Sequence, residues 1–441
     1  MADSEEPLPP PPLPEGKGEL SLPSPARGDG KDNSPEGAGF GGRGLRFAPA
    51  ILLGMVSVSQ ALVTNNFPDF FIYRSGSEIG LRGESPYDIA RIRKLASAQF
   101  PEENPKRESF VLNCGYFLPP SAILVFAPFA IVPWGAAKVA WGITLGLAAA
   151  GIATLPNLLR NPDRGMPVRA NVLRFVVPFL LVLNPLTLAI VIVGQVTIVS
   201  VGCVAAGLWC FSRNRPTLGV ILWSLTFVKP HVALPLIPLV WYLGGWRHAA
   251  ALVGSVAAIN LLGATITGGS PLFLRDYLEY IPTGHKAVLY NQAELNPQIT
   301  SWNRLLVSCG GPVIELTAVT TLAGYLVWGG LVLGRCAIAG AKPSAAWACA
   351  AAVAGAAVCS QVLPYELLML SVAVPWVRDL CASKWRLWGW AAVLLMVIQT
   401  IPINSANVMF DFYRPLGAMA FALLVLFGPV DPKQHEISSA T

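Results

Sequence analysis

The sequence predicts an all-α, polytopic membrane protein, and three observations carry that expectation. Only 13% of the 441 residues are charged and 54% are hydrophobic, whereas a soluble domain carries about 25% charged residues. The mean hydropathy is +0.54, so a bilayer is the solvent that tolerates this surface. Third, apolar runs recur along the chain, most of them close to the ~20 residues that a helix needs to cross a ~30 Å hydrocarbon core. The first covers 47–63. Others cover 117–132, 136–155, 174–193, 195–211, 218–243, 248–266, 313–334, 344–359, 364–377, 387–403 and 415–429. Several are short or broken by proline, so the expected total is about 10–13 transmembrane helices.

The flanks and loops differ in composition. Residues 1–45 are rich in Pro and Gly and cannot bury enough apolar surface to offset their ordering entropy. They form an expected disordered cytoplasmic tail, with a proline-reading partner as an alternative use. The acidic start, with no apolar stretch behind it, does not have the pattern of a signal peptide. Arg43 and Arg46 precede the first run and place the N-terminus in the cytoplasm by the positive-inside rule. Residues 64–115 then form a long outer loop, with helical character over 69–81 and 88–100 and a turn at Gly83, Ser85 and Pro86. Residues 46–430 are the expected membrane domain, and 431–441 a short cytoplasmic tail. Basic segments 335–342 and 378–386 belong inside, which puts 267–300, 360–366 and 404–414 outside with Asp69. The arginines between 160 and 215 conflict with simple alternation, and half-length helices around Asn184-Pro185 and Lys229-Pro230 would relieve the conflict.

Composition also excludes functions. A net charge of +6 is that of cytoplasmic membrane loops and not of a nucleic-acid binder. The eight cysteines form no CxxC pair, so neither a disulfide framework nor a zinc site is expected, and no metal or other cofactor. There is no Walker A loop, GxGxxG, HExxH or GxSxG.

Polar groups in apolar surroundings are functional candidates. Asp69 in "NNFPDFFIYRSG" follows the first run at once, with Phe67, Phe70 and Phe71 expected to hold it at the membrane interface. It reads either as a general base or as the N-cap of the following helix. Tyr116 precedes Pro119-Pro120, which opens a helix; an interfacial aromatic is the alternative. Gly194-Gln195 and Lys229-Pro230-His231 interrupt apolar stretches. Lys229, with His231, suits a phosphate, or else it snorkels at a helix end. Arg304 in "NPQITSWNRLL" can bind phosphate bidentately or, with Trp302, anchor the interface. Tyr365 and Glu366 are expected on the same side.

In order, these motifs resemble glycosyltransferase family 87 of the GT-C superfamily. They are Asp69-Phe70 after the first membrane helix, Gly83-x-Ser85-Pro86-Tyr87-Asp88, Tyr116 with Pro119-Pro120, Gly194-Gln195, Lys229-Pro230, and Asn296-Pro297-Gln298 followed by Arg304. The similarity spans about 47–430. The chain departs from the family pattern in three places: Phe117-Leu118 separate the Tyr from the Pro pair, Thr197 stands where Asn is usual, and Asn-Pro-Gln stands where Asn-Gln-Ser is usual.

The resemblance implies a GT-C type bundle and a multi-pass enzyme of the cell membrane. It implies transfer of a hexose, most often mannose, from a polyprenyl-phosphate-sugar to a lipid or glycan hydroxyl on the extracytoplasmic face, with inversion. Asp69 would be the base. Lys229, His231, Arg304, Tyr116, Gln195, Tyr87, Asn296, Gln298 and Glu366 would hold donor phosphate and substrate. The partners would be the donor, the glycolipid or glycan acceptor and membrane lipids, with the protein acting as a monomer. Two rival readings are a secondary transporter, which should show repeats of the helix pattern between its halves, and a non-catalytic lipid-binding protein.

Overall fold

A computed structural model describes residues 47–63, 67–99, 115–159, 180–266, 274–280, 299–312, 314, 318–340, 342–400 and 413–432. They all lie in one unit, Gly39–Thr441. Residues 1–46 and 433–441, where the sequence places most of the two tails, lie outside the described residues. The fold is all-α. Among the described residues the β pairing is a single isolated bridge between Thr300 and Val362.

In chain order the helices are α1 (Ala48–Val63), α2 (Pro68–Leu81), α3 (Ile89–Gln99), α4 (Ser121–Ala130), α5 (Trp134–Thr154), α6 (Pro185–Val193), α7 (Thr197–Ser212), α8 (Pro216–Ser224), α9 (Pro230–Ala233), α10 (Leu236–Gly244) and α11 (Trp246–Ile266). A short α12 covers 274–280. Then come α13 (Trp302–Ser308), α14 (Ala318–Ala339), α15 (Ala345–Cys359), α16 (Val374–Cys381), α17 (Arg386–Ile398) and α18 (Tyr413–Phe427). Proline opens α2, α6, α8 and α9, where its missing N–H costs least.

Three described helices are singly long and apolar enough to cross a membrane, within Trp134–Asn157, Trp246–Thr265 and Val319–Ala339. The number is five if each of two bent pairs counts as one span: α1 with α2, bent by 72°, and α6 with α7, bent by 117°. The sequence expects about 10–13 crossings. Proline and glycine cut its apolar runs into pieces, and α4, α15, α17 and α18 are apolar helices of 10–17 residues. The surface of α14 shows what covers these helices. Leu326, Val327, Leu333 and Ile338 are each at least 65% exposed, an apolar face that lipid covers and water would not.

Small residues bring the first spans together. A Cβ built on Gly146 of α5 would lie 2.9 Å from the Gly54 Cα of α1, and one on Gly202 of α7 would lie 2.8 Å from the Ala148 Cα and carbonyl oxygen of α5. Backbones this close gain dispersion contact where lipid offers no hydrophobic drive between helices. Gly202→Leu is therefore expected to separate α5 from α7 and cost about 1–3 kcal/mol, read as a lower unfolding midpoint in detergent; an unchanged midpoint would contradict this packing.

The segment after α1 contains both helices expected of it, with Gly83 at φ +78° in the turn between them. Arg74 of α2 locks this segment. Its guanidinium donates to the carbonyls of Phe129 (3.0 Å) and Val132 (3.1 Å) at the C-terminal end of α4. The last carbonyls of a helix lack internal donors, and a cation there also meets the negative end of the helix dipole.

Candidate functional site

The site starts at the beginning of α2. Its N-cap is Phe67, and Asp69 sits in the first turn, so Asp69 is not the cap that residue type allows. A carboxylate there is favoured by the helix dipole. Asp69 is half-buried. Phe67, Phe70 and Phe71 are instead buried in the protein, which corrects the expectation that they rest at the membrane interface. Spaced i, i+3, i+4, they share one face of α2. Phe70 stacks on Trp141 at 5.0 Å and on Trp134 at 5.7 Å, so α5 sets the position of Asp69.

Gln195 comes to Asp69 from the break between α6 and α7. Gly194 ends α6 with φ +73°, and a Cβ there would lie 2.8 Å from the Phe70 Cβ. Only glycine meets both demands without strain. The Gly194 carbonyl accepts from Trp141 Nε1 at 3.0 Å. The Gln195 amide is then fixed in orientation. Its Oε1 accepts from the Val196 N–H at 2.9 Å and from the Tyr73 hydroxyl. A backbone N–H can only donate, so the NH₂ group must face the other way. It does, donating to Asp69 Oδ2 at 2.6 Å.

Two residues on, Thr197 continues the line. Its hydroxyl accepts from Lys229 Nζ at 2.9 Å, and Lys229 Nζ also lies 2.5 Å from Glu366 Oε1. Both side chains of that ion pair are nearly inaccessible, at 6% and 4% exposure. His231 Nε2 reaches the same Glu366 oxygen at 3.2 Å and remains 37% exposed. Because the paired carboxylate only accepts, His231 Nε2 carries the proton. Glu366 Oε2 accepts from the Leu363 N–H at 2.9 Å. Asp69 lies within electrostatic reach of both Lys229 and Glu366.

The remaining site residues fall into two places. Arg304 is buried in α13, its backbone N–H donating to the Ser301 hydroxyl at 3.1 Å. The Thr300–Val362 bridge, with N–H···O distances of 2.7 and 3.0 Å, ties its segment to the strand of chain leading into Glu366. Tyr116 and Tyr87 lie elsewhere, in an aromatic cluster beside α2 and α12 with ring centroids 5.7 Å apart. The Tyr87 hydroxyl donates to the Leu118 carbonyl at 3.0 Å, and burial above all holds its phenol well above the usual tyrosine range. Asn296 and Gln298 lie outside the described residues. Among the described residues no group of three His, Cys, Asp or Glu side chains can hold a metal ion.

Tyr73 and Trp141 were not singled out as site residues in the sequence, and Thr197 stood out only as a departure from the family pattern. Tyr73 had a signal, since it stands four residues after Asp69 on the same helix face. Trp141 had none.

The model of glycosyltransferase family 87 matches residues 116–363, more than half of the chain. The chain belongs to glycosyltransferase family 87. It is therefore a membrane glycosyltransferase, with a donor and an acceptor to bind. No curated protein and no solved structure matches it. The match contains Tyr116, Gln195, Lys229, His231 and Arg304, while Asp69, Tyr87 and Glu366 lie outside it. Two residues at which the sequence departs from the expected motifs have visible uses in this glycosyltransferase: Thr197 is a partner of Lys229, and Leu118, one of two residues separating Tyr116 from the Pro pair, is the acceptor for Tyr87.

Proposed function

We propose that this family 87 glycosyltransferase moves a hexose, mannose first among them, from a polyprenyl-phosphate-sugar to an acceptor hydroxyl, with Asp69 as general base and inversion at the anomeric carbon. One observation carries this reading: a half-buried carboxylate, its orientation fixed by Gln195, joined through the 194–197 turn to a buried Lys–Glu pair that ends in an accessible histidine. In the reaction the acceptor O–H bond breaks and its proton goes to Asp69. The new C–O bond forms on one face of the anomeric carbon as the C–O bond to phosphate breaks on the other. The electron pair leaves on the polyprenyl phosphate. Phosphate is already a good leaving group, so the protein needs cations for it and no strong general acid. His231 and Arg304 are the proposed contacts, with Lys229 acting from behind through Glu366. One displacement with one base inverts the centre, and the reading asks for no metal.

The same reading puts residues 46–430 in the cell membrane as the catalytic domain, with both tails cytoplasmic and Asp69 on the extracytoplasmic face. Incubating membranes that contain the protein with radiolabelled polyprenyl-phosphate-mannose tests it. Labelled glycolipid or glycan is expected; uptake into sealed vesicles without a glycosylated product would favour transport instead. Gln195→Met keeps the side chain's length but removes the amide. It is expected to lower kcat about 10–100-fold with little change in donor KM, the cost of stranding polar groups at Asp69 and Tyr73. A kcat equal to wild type would remove Gln195 from the machinery.

A further inference from the structure

An open cleft of about 360 Å³ lies beside α2 and α12, lined by Ser85, Tyr87, Asp88, Asp276, Glu279 and Tyr280. Its volume is within the ~300–1,000 Å³ typical of small-molecule sites. One wall is the turn between α2 and α3, and the other is α12. The Ser85 hydroxyl bridges them by donating to Asp276 at 3.0 Å. The base is aromatic: Tyr87 lies 5.6 Å from Tyr277 and 5.7 Å from Tyr280, and Phe117 stacks on Tyr280 at 5.7 Å.

The chemistry of the walls narrows the ligand. Among the described lining residues three are carboxylates and none is a cation, which disfavours a phosphate or an anionic lipid head. Two of the three are ion-paired, Asp88 with Arg91 at 3.0 Å, an arginine it shares with Glu84, and Glu279 with Arg275 at 2.7 Å. The pairs hold those two carboxylates by their arginines, which leaves Asp276, bridged to Ser85, to accept from a neutral hydroxyl donor. Hydroxyl-accepting carboxylates beside aromatic faces suit a ligand with many O–H donors and an apolar ring face, and a sugar has both.

The cleft is also coupled to Asp69 through α2. Tyr116, in contact with Tyr87, packs over Gly76, where a Cβ would lie 2.2 Å from its ring. Gly76 is seven residues beyond Asp69, roughly 10 Å along the helix at ~1.5 Å per residue, and the Ser85 turn is farther. That separation exceeds one sugar ring.

We propose that this cleft is an acceptor subsite for an uncharged sugar unit, so that the acceptor is a glycan extending at least one sugar beyond the hydroxyl that reacts. The proposal rests on the transferase reading above and adds the acceptor class to it. The test is saturation-transfer NMR on the full chain in nanodiscs, with methyl α-mannopyranoside and uncharged linear manno-oligosaccharides of two to four units as probes and no donor present. Saturation transfer is expected to the oligosaccharides, equally in wild type and in Asp69→Asn. It should weaken about tenfold in Tyr280→Leu and in the Asp276→Asn/Glu279→Gln double variant. The double variant keeps size and shape, so it decides the matter even if Tyr280→Leu does not fold. Equal binding by wild type and the double variant overturns the proposal, as does displacement of the sugar by tetramethylammonium at constant ionic strength. Sugar binding without any sugar transfer would instead sink the transferase reading alone, and transfer without cleft binding would sink the subsite alone.

Discussion

Asp69→Asn is expected to lower the rate of sugar transfer by about 10²–10⁴-fold, the usual contribution of a positioned general base. Asparagine matches aspartate in size and still offers an oxygen to the Gln195 amide, which donates to Oδ2 at 2.6 Å in the wild type. The aromatic packing that seats the start of α2 does not involve the carboxylate, since Phe70 and Trp141 stack independently of it. The unfolding midpoint should therefore stay within a few degrees of wild type, and donor KM should hold. The loss belongs in kcat, because the amide cannot take the proton of the acceptor hydroxyl. Single-turnover transfer from radiolabelled donor gives this number directly. A variant that folds, inserts and transfers at the wild-type rate would remove Asp69 as the base.

The second large effect is in stability. Lys229 and Glu366 form an ion pair at 2.5 Å with both side chains almost inaccessible. Removing either partner leaves a buried charge without its counterion, which typically costs about 3–5 kcal/mol. Lys229→Met and Glu366→Gln should each destabilise the protein by that amount, read as a lower unfolding midpoint in detergent. Replacing both groups by apolar ones removes the two desolvation costs together, so Lys229→Met/Glu366→Met should recover much of the stability. Transfer should not recover, because His231 would have lost the carboxylate that holds it at 3.2 Å. Full activity in the stable double variant would show that the pair serves the fold alone.

Some of this architecture is legible in particular residues. The α2–turn–α3 unit follows from Pro68, the helical pattern after it, Gly83 and Asp88, whose carboxylate accepts the Ala90 N–H at 3.0 Å at the start of α3. These signals are local, and local backbone preferences express them. The break at Gly194-Gln195 is legible as a polar interruption of an apolar run, and the 117° bend there is the form it takes. Gly194 is in that sequence because its φ is positive and Phe70 presses on it.

The interaction partners were not legible. Gln195 meets Asp69 across 126 positions, and Lys229 meets Glu366 across 137. By residue type, Lys229 is equally suited to a phosphate, a lipid interface or a carboxylate. The three phenylalanines around Asp69 suit membrane and protein core alike, because hydrophobicity does not distinguish lipid tails from a packed aromatic cluster. The crossing number differs for a related reason: run length measures apolar composition, whereas a proline or a left-handed glycine decides whether the run stays one helix.

By itself, then, the sequence determined that the chain is α-helical and lives in a membrane, since too few charges and too many apolar runs exclude water as its solvent. It also determined, through the order of its motifs, the family to which it belongs. Only the tertiary structure decided that the carboxylate, the amide, the lysine, the glutamate and the histidine form one connected line. That outcome depends on long-range packing, in which one bend at Gly194 and one bridge at Thr300 bring distant segments to the same point.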